Sequence, residues 1–309
     1  MDEPASAAWL SAKDALVEAT GAALMVDLNP PQRPQHLFHF TDLRGMVGIL
    51  ETRTLWATLA TALTDQSEVS YGLGRARQLI QRGGAPGDAA FLRTIERFLD
   101  PQNSPGAFRL EWRTFIISFC ARADLALQWL HYGRAGSGVA LAFDANRIQK
   151  KPFDLVQVLY DEGRQDLLIR SIITAASDCI QQHVGGLSQS EVQGLEAVAA
   201  HLTAQRIWMA APRLKSHAFS DEREWRLITY DLIGARVPGT PDSQLPTRYR
   251  IVARRVVPYL ELGYETLPVA EVILGADVSM QPQDPGLTML IENTKAGMPI
   301  TQSQVPVRE

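Results

Sequence analysis

Two glutamates, two positions apart, are the residues in this sequence whose type and spacing best fit a chemical role. Glu222 and Glu224 lie in the stretch FSDEREWRLI, residues 219–228. Its alternation of charged and apolar residues predicts a strand, with both carboxylates and Arg226 on one face. Such a pair stabilises positive charge developing on a sugar carbon when a glycosidic bond breaks. The alternative is a solvated strand face that Arg223 and Arg226 neutralise.

A histidine and a threonine lie in the first strand that the sequence predicts. This strand is the stretch HLFHFT, residues 36–41. Alternation places Leu37, His39 and Thr41 on one face and the two phenylalanines on the other, against the core. His39 and Thr41 carry groups that hydrogen-bond the hydroxyls or the amide of a ligand. A structural histidine, satisfied within the fold, is the alternative interpretation of His39.

Three further candidates lie in the middle of the chain. Ser118 is the single polar residue between Phe115 and Cys120 in the apolar run FIISFC. Trp129 and Tyr132 are three positions apart on a predicted helix, so both rings would share one helix face and flank a planar heterocycle. A pair of core aromatic residues is the alternative interpretation of these two rings.

Metal and phosphate-loop chemistry have little support in the sequence. Of the six histidines, only His36 and His39 are close, and they would point to opposite faces of a strand. The two cysteines, Cys120 and Cys179, are too few for a four-thiolate zinc site. The glycines of residues 133–138 are not followed by Gly-Lys-Ser/Thr, so they do not form a phosphate-binding loop. We therefore expect no metal cofactor.

The elements that must position these residues are short strands and helices. Strands are predicted over residues 36–41, 55–58, 115–120, 139–143, 155–160, 222–230, 248–256 and 269–274. Helices are predicted over residues 4–26, 43–51, 65–100 with a break at 83–87, 123–132, and twice within 162–212. Strands near both ends with helices between them predict an α+β fold, a mixed sheet that carries a helical insertion at about 162–212.

Composition bounds the class of protein. The chain has 309 residues, a formal net charge of −4 and 46% hydrophobic residues, which is typical of a globular protein. This excludes a disordered chain, and it argues against a nucleic-acid binder with a broad basic surface. We expect a helical arm and proline-rich linker over 1–34 and a single domain over 35–309. Neither a secretory signal nor a membrane span is recognisable, so we expect a cytoplasmic protein with no membrane partner.

A succession of short stretches from residue 36 to residue 308 resembles the bacterial domain-of-unknown-function family 2971. The matching stretches are HLFHFT (36–41), GILE (48–51), LWAT (55–58), LTDQSE (63–68), FIISFC (115–120), WLHY (129–132), GVALAFD (138–144), residues 215–226, Tyr259, VILGA (272–276) and SQVPVR (303–308). That family is similar to the ADP-ribosyltransferase fold, a split mixed β-sheet that clamps NAD between two halves. The resemblance therefore implies this type of sheet and NAD as the substrate.

The same resemblance implies roles for the middle and N-terminal candidates. His39, with Thr41 beside it, matches the first-strand residue that hydrogen-bonds a ribose of NAD in transferases of that fold. Ser118, Trp129 and Tyr132 are then candidates for contact with the nicotinamide. The middle strand departs from the Ser-Thr-Ser pattern of these transferases, because Phe and Cys follow Ser118.

The resemblance assigns the glutamate pair to the Glu-x-Glu motif of these enzymes. Glu224 would stabilise the charge on the ribose through its 2′-hydroxyl, and Glu222 would orient the acceptor or remain a surface charge. The implied function is an ADP-ribosyltransferase that modifies a protein or a nucleic acid, as a toxin or an antiviral (phage-defence) effector. An NAD glycohydrolase and a catalytically inactive nucleotide-binding or sensor module remain alternatives. Residues 162–212 are a candidate surface for a regulatory partner, and the oligomeric state stays open.

Overall fold

The structure, a computed structural model, describes residues 6–24, 33–63, 67–100, 112–232, 245–252, 254–294 and 297–305. Most of the expected linker before Pro34 lies outside these residues. So do parts of two of the family-like stretches, 63–68 and 303–308.

Most of the helices lie in segments that the sequence predicts to be helical. They are α1 (Ala7–Leu24), α2 (Leu43–Thr52), α3 (Ser67–Gln81), α4 (Ala89–Leu99), α5 (Ala126–His131), α6 (Glu162–His183), α7 (Gln189–Ala210) and α8 (Pro285–Asn293). The carboxylate of Asp42 accepts a hydrogen bond from the Gly45 N–H and so caps α2, as its position before the helix predicts. None of these described helices combines the length and apolar character that a membrane span requires.

The strands form one mixed sheet. They are β1 (His36–Thr41), β2 (Thr54–Leu59), β3 (Trp112–Cys120), β4 (Val139–Asp144), β5 (Asp154–Gln157), β6 (Glu224–Leu232), β7 (Arg248–Val252), β8 (Arg255–Gly263), β9 (Val269–Leu274) and β10 (Ile300–Gln302). The main order is β10-β9-β4-β1-β3-β2-β8-β7, with β6 also paired to β3 and β5 paired to β6. The β9–β10 pair is parallel and the other strand pairs are antiparallel. The predicted α+β class with a mixed sheet is confirmed.

The sheet divides along one edge of β3. Strand β6 pairs with β3 over its whole length and occupies the other edge. On the dividing edge, β1 pairs with Cys120 at one end of β3, and β2 pairs with Phe115 and Ile116 further back. Strands β1 and β2 therefore diverge on either side of Ser118, and a gap opens between them in the plane of the sheet.

Apolar layers cover both faces of the sheet. On one face, α1, α3, α4, α6 and α7 form a core cluster with residues of β3 and β6 such as Ile116 and Ile228. On the other face, α2 and α8 pack through residues such as Leu50 and Leu287. Helix α1 lies within the first layer, against α6 and α7. The two layers fix the divided sheet between them.

Three elements differ from the sequence prediction because of local backbone geometry. The strand predicted over 248–256 is the hairpin of β7 and β8, whose turn includes Arg254 at φ 68°. The strand predicted from residue 222 begins at Glu224, because a short 3₁₀ turn, His217–Glu222, precedes it. The helix predicted over 123–132 is the shorter α5. Strand β10, helix α8 and most of β8 were not predicted.

Candidate functional site

A cavity of about 760 Å³ lies over the divided part of the sheet. Its walls come from strands β1, β2, β3, β6 and β7 and from helices α2 and α5. A cavity of this size is typical of sites for small molecules and cofactors. Most of the sequence-predicted site residues line it, namely His39, Thr41, Ser118, Tyr132, Glu222 and Glu224.

Two cations hold the glutamate pair at one end of the cavity. The Nζ of Lys215 lies 2.6 Å from Oε2 of Glu222 and 3.1 Å from Oε2 of Glu224. Arg226 donates from Nε to Oε1 of Glu224 at 2.7 Å and from Nη2 to Oε2 at 2.8 Å. All four charged side chains are buried. Opposite charges in direct contact offset the cost of burying each of them.

A backbone turn brings the two carboxylates together. Glu222 ends the 3₁₀ turn, Arg223 has the left-handed φ of 46°, and Glu224 begins β6. The predicted arrangement, in which both glutamates lie on one face of a single strand, is therefore wrong. The N–H of Glu224 donates to the hydroxyl of Tyr160 at 3.1 Å, and Cys120 pairs with Glu224 across the strands. Arg223 is exposed, so of the two expected neutralising arginines only Arg226 contacts Glu224.

Glu224 is held in its ionised form. Burial alone would raise the pKa of its carboxyl group, but Arg226, Lys215 and a hydrogen bond from the hydroxyl of Ser118 outweigh burial and lower the pKa below its ordinary value. The carboxylate is consequently charged at neutral pH. It offers a fixed negative charge at the cavity wall.

His39 fills the gap in the sheet between β1 and β2. Its Nδ1 lies 3.0 Å from the carbonyl oxygen of Ser118, and its ring lies 5.7 Å from that of Phe119. A carbonyl only accepts, so Nδ1 carries the proton and Nε2 is left as an acceptor in the neutral ring. Burial and the charge of Arg250 lower the pKa of His39, while its bond to Ser118 opposes them. The imidazole is therefore neutral at pH 7. Leu37, which alternation places on the same side of β1 as His39, is fully buried.

Thr41 and Tyr132 lie on the wall formed by α2 and α5. Thr41 is half-buried where β1 leads into α2. Its Oγ1 lies close to Gly45, because a Cβ added at residue 45 would be 2.1 Å from that oxygen. Tyr132 is 54% exposed and follows the last residue of α5. On the same wall, Arg134 forms an ion pair with Asp42 at 2.9 Å. Tyr132 thus presents an accessible aromatic ring to the cavity.

Trp129 lies in the core instead of at the cavity. It is 0% exposed, its ring packs edge-to-face against Phe40 at 4.9 Å, and its Nε1 donates to Asp124 at 2.8 Å. Because α5 ends before Tyr132, the three-residue spacing does not bring the two rings to one accessible helix face. The expected sandwich of a heterocycle between Trp129 and Tyr132 is therefore not formed, and Trp129 takes the alternative role of a core aromatic.

Cys120 lines the cavity beside the glutamates. Burial, together with the negative charges of Glu222 and Glu224, raises the pKa of its thiol to about 11 against the opposing backbone hydrogen bond from Arg122. The thiolate is the nucleophilic form of cysteine. Cys120 is thus a protonated, buried thiol at neutral pH.

Two cations of the site were not predicted. Lys215 lies seven positions before Glu222, outside the 3₁₀ turn that ends at Glu222, so no single helix or strand connects them and only folding reveals their contact. Arg250 reaches the cavity from β7, where its Nη2 donates to Oγ1 of Thr58 at 2.8 Å. Its guanidinium lies 5.3 Å from the ring centroid of Trp56. If the sequence had shown β7 as a separate edge strand beside β8, it would have pointed to Arg250.

The cavity thus combines a fixed carboxylate pair, a hydroxyl, a neutral imidazole and an exposed aromatic ring. Such groups bind and orient a polar ligand with hydroxyl groups and a planar ring. Within the described part of the chain, His, Cys, Asp and Glu residues form no group of three or more that could hold a metal ion.

The α+β fold and the divided sheet thus define a protein with a cavity between two groups of strands. Residues 128–227, about a third of the chain, match the model of a protein family of unknown function, DUF2971. The matched residues include Lys215, both glutamates and Arg226, so one end of the cavity falls within the match. No curated protein and no solved structure matches the chain. The resemblance to this family is confirmed for residues 128–227, and the likeness to the ADP-ribosyltransferase fold stays a prediction.

Proposed function

We propose that the cavity binds NAD and that the protein is an ADP-ribosyltransferase. The observation that carries this proposal is the position of Glu224, an ionised carboxylate in the same cavity as His39 and Ser118. The resemblance described above implies these residues in the same order along the chain. A split sheet with a ligand between its halves is also the arrangement that the resemblance implies, and the division at β3 agrees with it.

The proposed step breaks the bond between nicotinamide and ribose. Nicotinamide leaves with the bonding electron pair, and positive charge develops at C1′ of the ribose. Glu224 accepts a hydrogen bond from the ribose 2′-hydroxyl and stabilises this charge. A nucleophilic group of the acceptor then bonds to C1′, and its proton passes to the carboxylate of Glu222. No oxidant, reductant or metal is consumed.

The other cavity residues position the substrate. The free Nε2 of His39 accepts a hydrogen bond from a ribose hydroxyl, because Nδ1 is already bound to the backbone of Ser118. The exposed ring of Tyr132 stacks on the nicotinamide. Thr41, on the same strand as His39, adds a hydroxyl that hydrogen-bonds the ribose.

The acceptor decides between two reactions at the same site. A protein or nucleic-acid acceptor gives an ADP-ribosyltransferase, and water gives an NAD glycohydrolase. The products differ, because labelled macromolecule forms in the first reaction and free ADP-ribose in the second. Of the two reactions we propose transfer to a macromolecule, with the protein acting as a toxin or an antiviral effector.

One observation favours a second function, a nucleotide-binding module without turnover. Each carboxylate oxygen has two lone pairs. Oε2 of Glu224 already contacts both Lys215 and Arg226, and Oε1 contacts Arg226. Ser118 donates a further hydrogen bond to the same carboxylate. These four contacts occupy the four lone pairs of the Glu224 carboxylate, so a ribose hydroxyl can bond to it only if one of these partners shifts when the ligand binds.

Incubation of the full-length chain with NAD labelled in its adenylate part, together with cell lysate, tests the proposal. We expect release of nicotinamide and label on macromolecules. Glu224→Gln should lower the rate of nicotinamide release about 100- to 1,000-fold, because it removes the charge that stabilises the ribose cation. Glu261→Gln is the matched control, since Glu261 lies on β8, pairs with Arg248 of β7 and does not line the cavity.

Loss of folding must be separated from loss of chemistry, because Glu224 is buried between two cations. Circular dichroism establishes whether each variant is folded, and Glu224→Asp keeps the charge within the same cluster. Full activity of folded Glu224→Gln would contradict the assigned role. NAD binding with no nicotinamide release by the parent protein would select the binding module, and free ADP-ribose without labelled macromolecule would select the glycohydrolase.

A further inference from the structure

Arg250 is a cavity cation that the proposed chemistry does not use. Its guanidinium lies 5.3 Å from the ring centroid of Trp56 and 5.7 Å from that of Tyr259, and it donates to the hydroxyl of Thr58. Within the residues that the structure describes, no carboxylate forms an ion pair with Arg250. Its Nε is buried and has no hydrogen-bond partner there.

This environment leaves the positive charge of Arg250 poorly compensated. Aromatic faces and one hydroxyl stabilise a guanidinium less than a carboxylate does. Burial accordingly lowers the pKa of Arg250, and no carboxylate opposes that effect. By contrast, Arg226 at the other end of the cavity forms two hydrogen bonds to Glu224. Arg250 therefore has bonding capacity left for a ligand.

The net charge of the residues around the cavity is positive, whereas that of the whole chain is negative. Four arginines and three carboxylates line the cavity, and Lys215 adds a cation beside two of those carboxylates. The carboxylates already have cationic partners, in the Arg134–Asp42 pair and in the cluster of Lys215 and Arg226. The whole chain carries a net charge of −4. A locally positive cavity in an acidic protein fits an anionic ligand.

We propose that Arg250 is the anion-binding residue of the cavity and that its ligand carries a phosphate or pyrophosphate group. The planar guanidinium binds two oxygens of such a group side by side, and Trp56 keeps it in place. Arg250 and His39 line the same cavity, so a phosphate on Arg250 would share that cavity with the imidazole. The inference deepens the proposed function, and it rests on that proposal for placing the ligand in this cavity.

Calorimetry on the full-length chain with three probes tests this assignment. Inorganic pyrophosphate carries the anion alone, ADP-ribose carries it within a nucleotide, and adenosine carries no phosphate. We expect Arg250→Gln to weaken ADP-ribose binding about 10- to 100-fold, the usual effect of losing a charged hydrogen bond. Adenosine binding should stay unchanged in this variant. Arg250→Lys should bind ADP-ribose more weakly than the parent protein but more tightly than Arg250→Gln. Arg248→Gln, on the same strand but outside the cavity lining, is the matched control and should bind as the parent does.

The outcomes separate this inference from the proposed transferase activity. ADP-ribose binding within twofold of the parent in Arg250→Gln would overturn the inference, as would a parent protein that binds neither anionic probe. Nicotinamide release from NAD reports on the transferase alone. A protein that binds ADP-ribose through Arg250 but releases no nicotinamide would support the anion site and refute the transferase. Binding of pyrophosphate but not of ADP-ribose would assign the site to a smaller phosphate ligand.

Discussion

At the scale of single residues, the candidate site depends on how two neighbouring carboxylates are kept ionised inside the protein. Glu222 and Glu224 carry like charges, and both are buried. Burying a charge costs several kcal/mol unless a partner is in contact. Lys215 contacts both carboxylates. Its positive charge therefore reduces the repulsion between them and offsets part of the free energy needed to bury each one.

We expect Lys215→Met to lower the free energy of unfolding by about 3–5 kcal/mol, the usual cost of removing one partner from a buried ion pair. Chemical denaturation followed by circular dichroism measures this change. The double variant Lys215→Met/Glu222→Gln should recover part of the loss, because it also removes one of the two like charges.

The matched control for Lys215 is an exposed ion pair. Lys151 contacts Asp154 at 2.8 Å, three positions along the chain, and its side chain is 81% exposed. Lys151→Met should therefore change the stability by less than about 1 kcal/mol. Equal losses in Lys215→Met and Lys151→Met would show that the cluster does not stabilise the fold.

Some of these residue positions could be predicted from the sequence and others could not. The glutamate pair was predicted because its two members are only two positions apart in the chain. Lys215 and Arg250 were not, because their partners lie on other elements. Trp129 carries the same helical spacing whether it faces a ligand or the core, and packing against Phe40 decided between these alternatives.

At the scale of elements, close approach of backbones sets the position of α3 against the segment that follows α7. Gly72 in α3 is the contact point, because a Cβ there would lie 2.7 Å from Cα and from O of Ala211. A Cβ at Gly74, two positions further along the same helix, would have no atom within 4 Å among the described residues. The two glycines therefore provide a matched pair for testing this contact.

We expect Gly72→Ala to destabilise the protein by about 1–3 kcal/mol, because backbone atoms of Ala211 cannot move aside without shifting the helix. Gly74→Ala should be neutral or should stabilise by up to about 1 kcal/mol, since alanine is the better helix former. Thermal or chemical unfolding of both variants measures the difference. Indistinguishable stabilities would contradict the close contact of α3 with Ala211.

The prediction of elements succeeded where local signals are strong. Helix α2 begins at its Asp42 cap, and the glycines at 185 and 186 separate α6 from α7, as the sequence indicates. The sequence pattern predicts one strand in place of the hairpin of β7 and β8, because a left-handed turn at Arg254 is not a usual turn signal. Left-handed φ values at non-glycine residues are rare, so sequence patterns seldom reveal them.

At the scale of the whole molecule, α1 joins the helical layer on one face of the sheet. Ala12 and Leu16 are fully buried in the cluster formed with α6 and α7. Arg213, itself buried, donates from Nη1 to the carbonyl of Leu24 at 3.2 Å and so satisfies a group at the C-terminal end of α1. The stability of the whole chain should therefore depend on α1.

We expect Leu16→Ala to lower the stability of the protein by about 2–5 kcal/mol, through lost apolar burial and the cavity left behind. Leu10→Ala is the control on the same helix, because Leu10 is 49% exposed, and it should cost less than about 0.5 kcal/mol. Equilibrium denaturation of the full-length variants measures both. A negligible effect of Leu16→Ala would support the expected domain boundary at residues 34 and 35, with α1 as a separable arm.

The sequence by itself determined the α+β class, most helix and strand positions, and the glutamate pair, because periodicity, caps and adjacent residues act over a few positions along the chain. Tertiary structure decided the rest. Strands β1 and β2 share one edge of β3 and diverge at Ser118, which opens the cavity and gives His39 its place. Long-range pairing of β3 with β6 also placed Glu224 opposite Cys120, because these two strands are far apart in the chain.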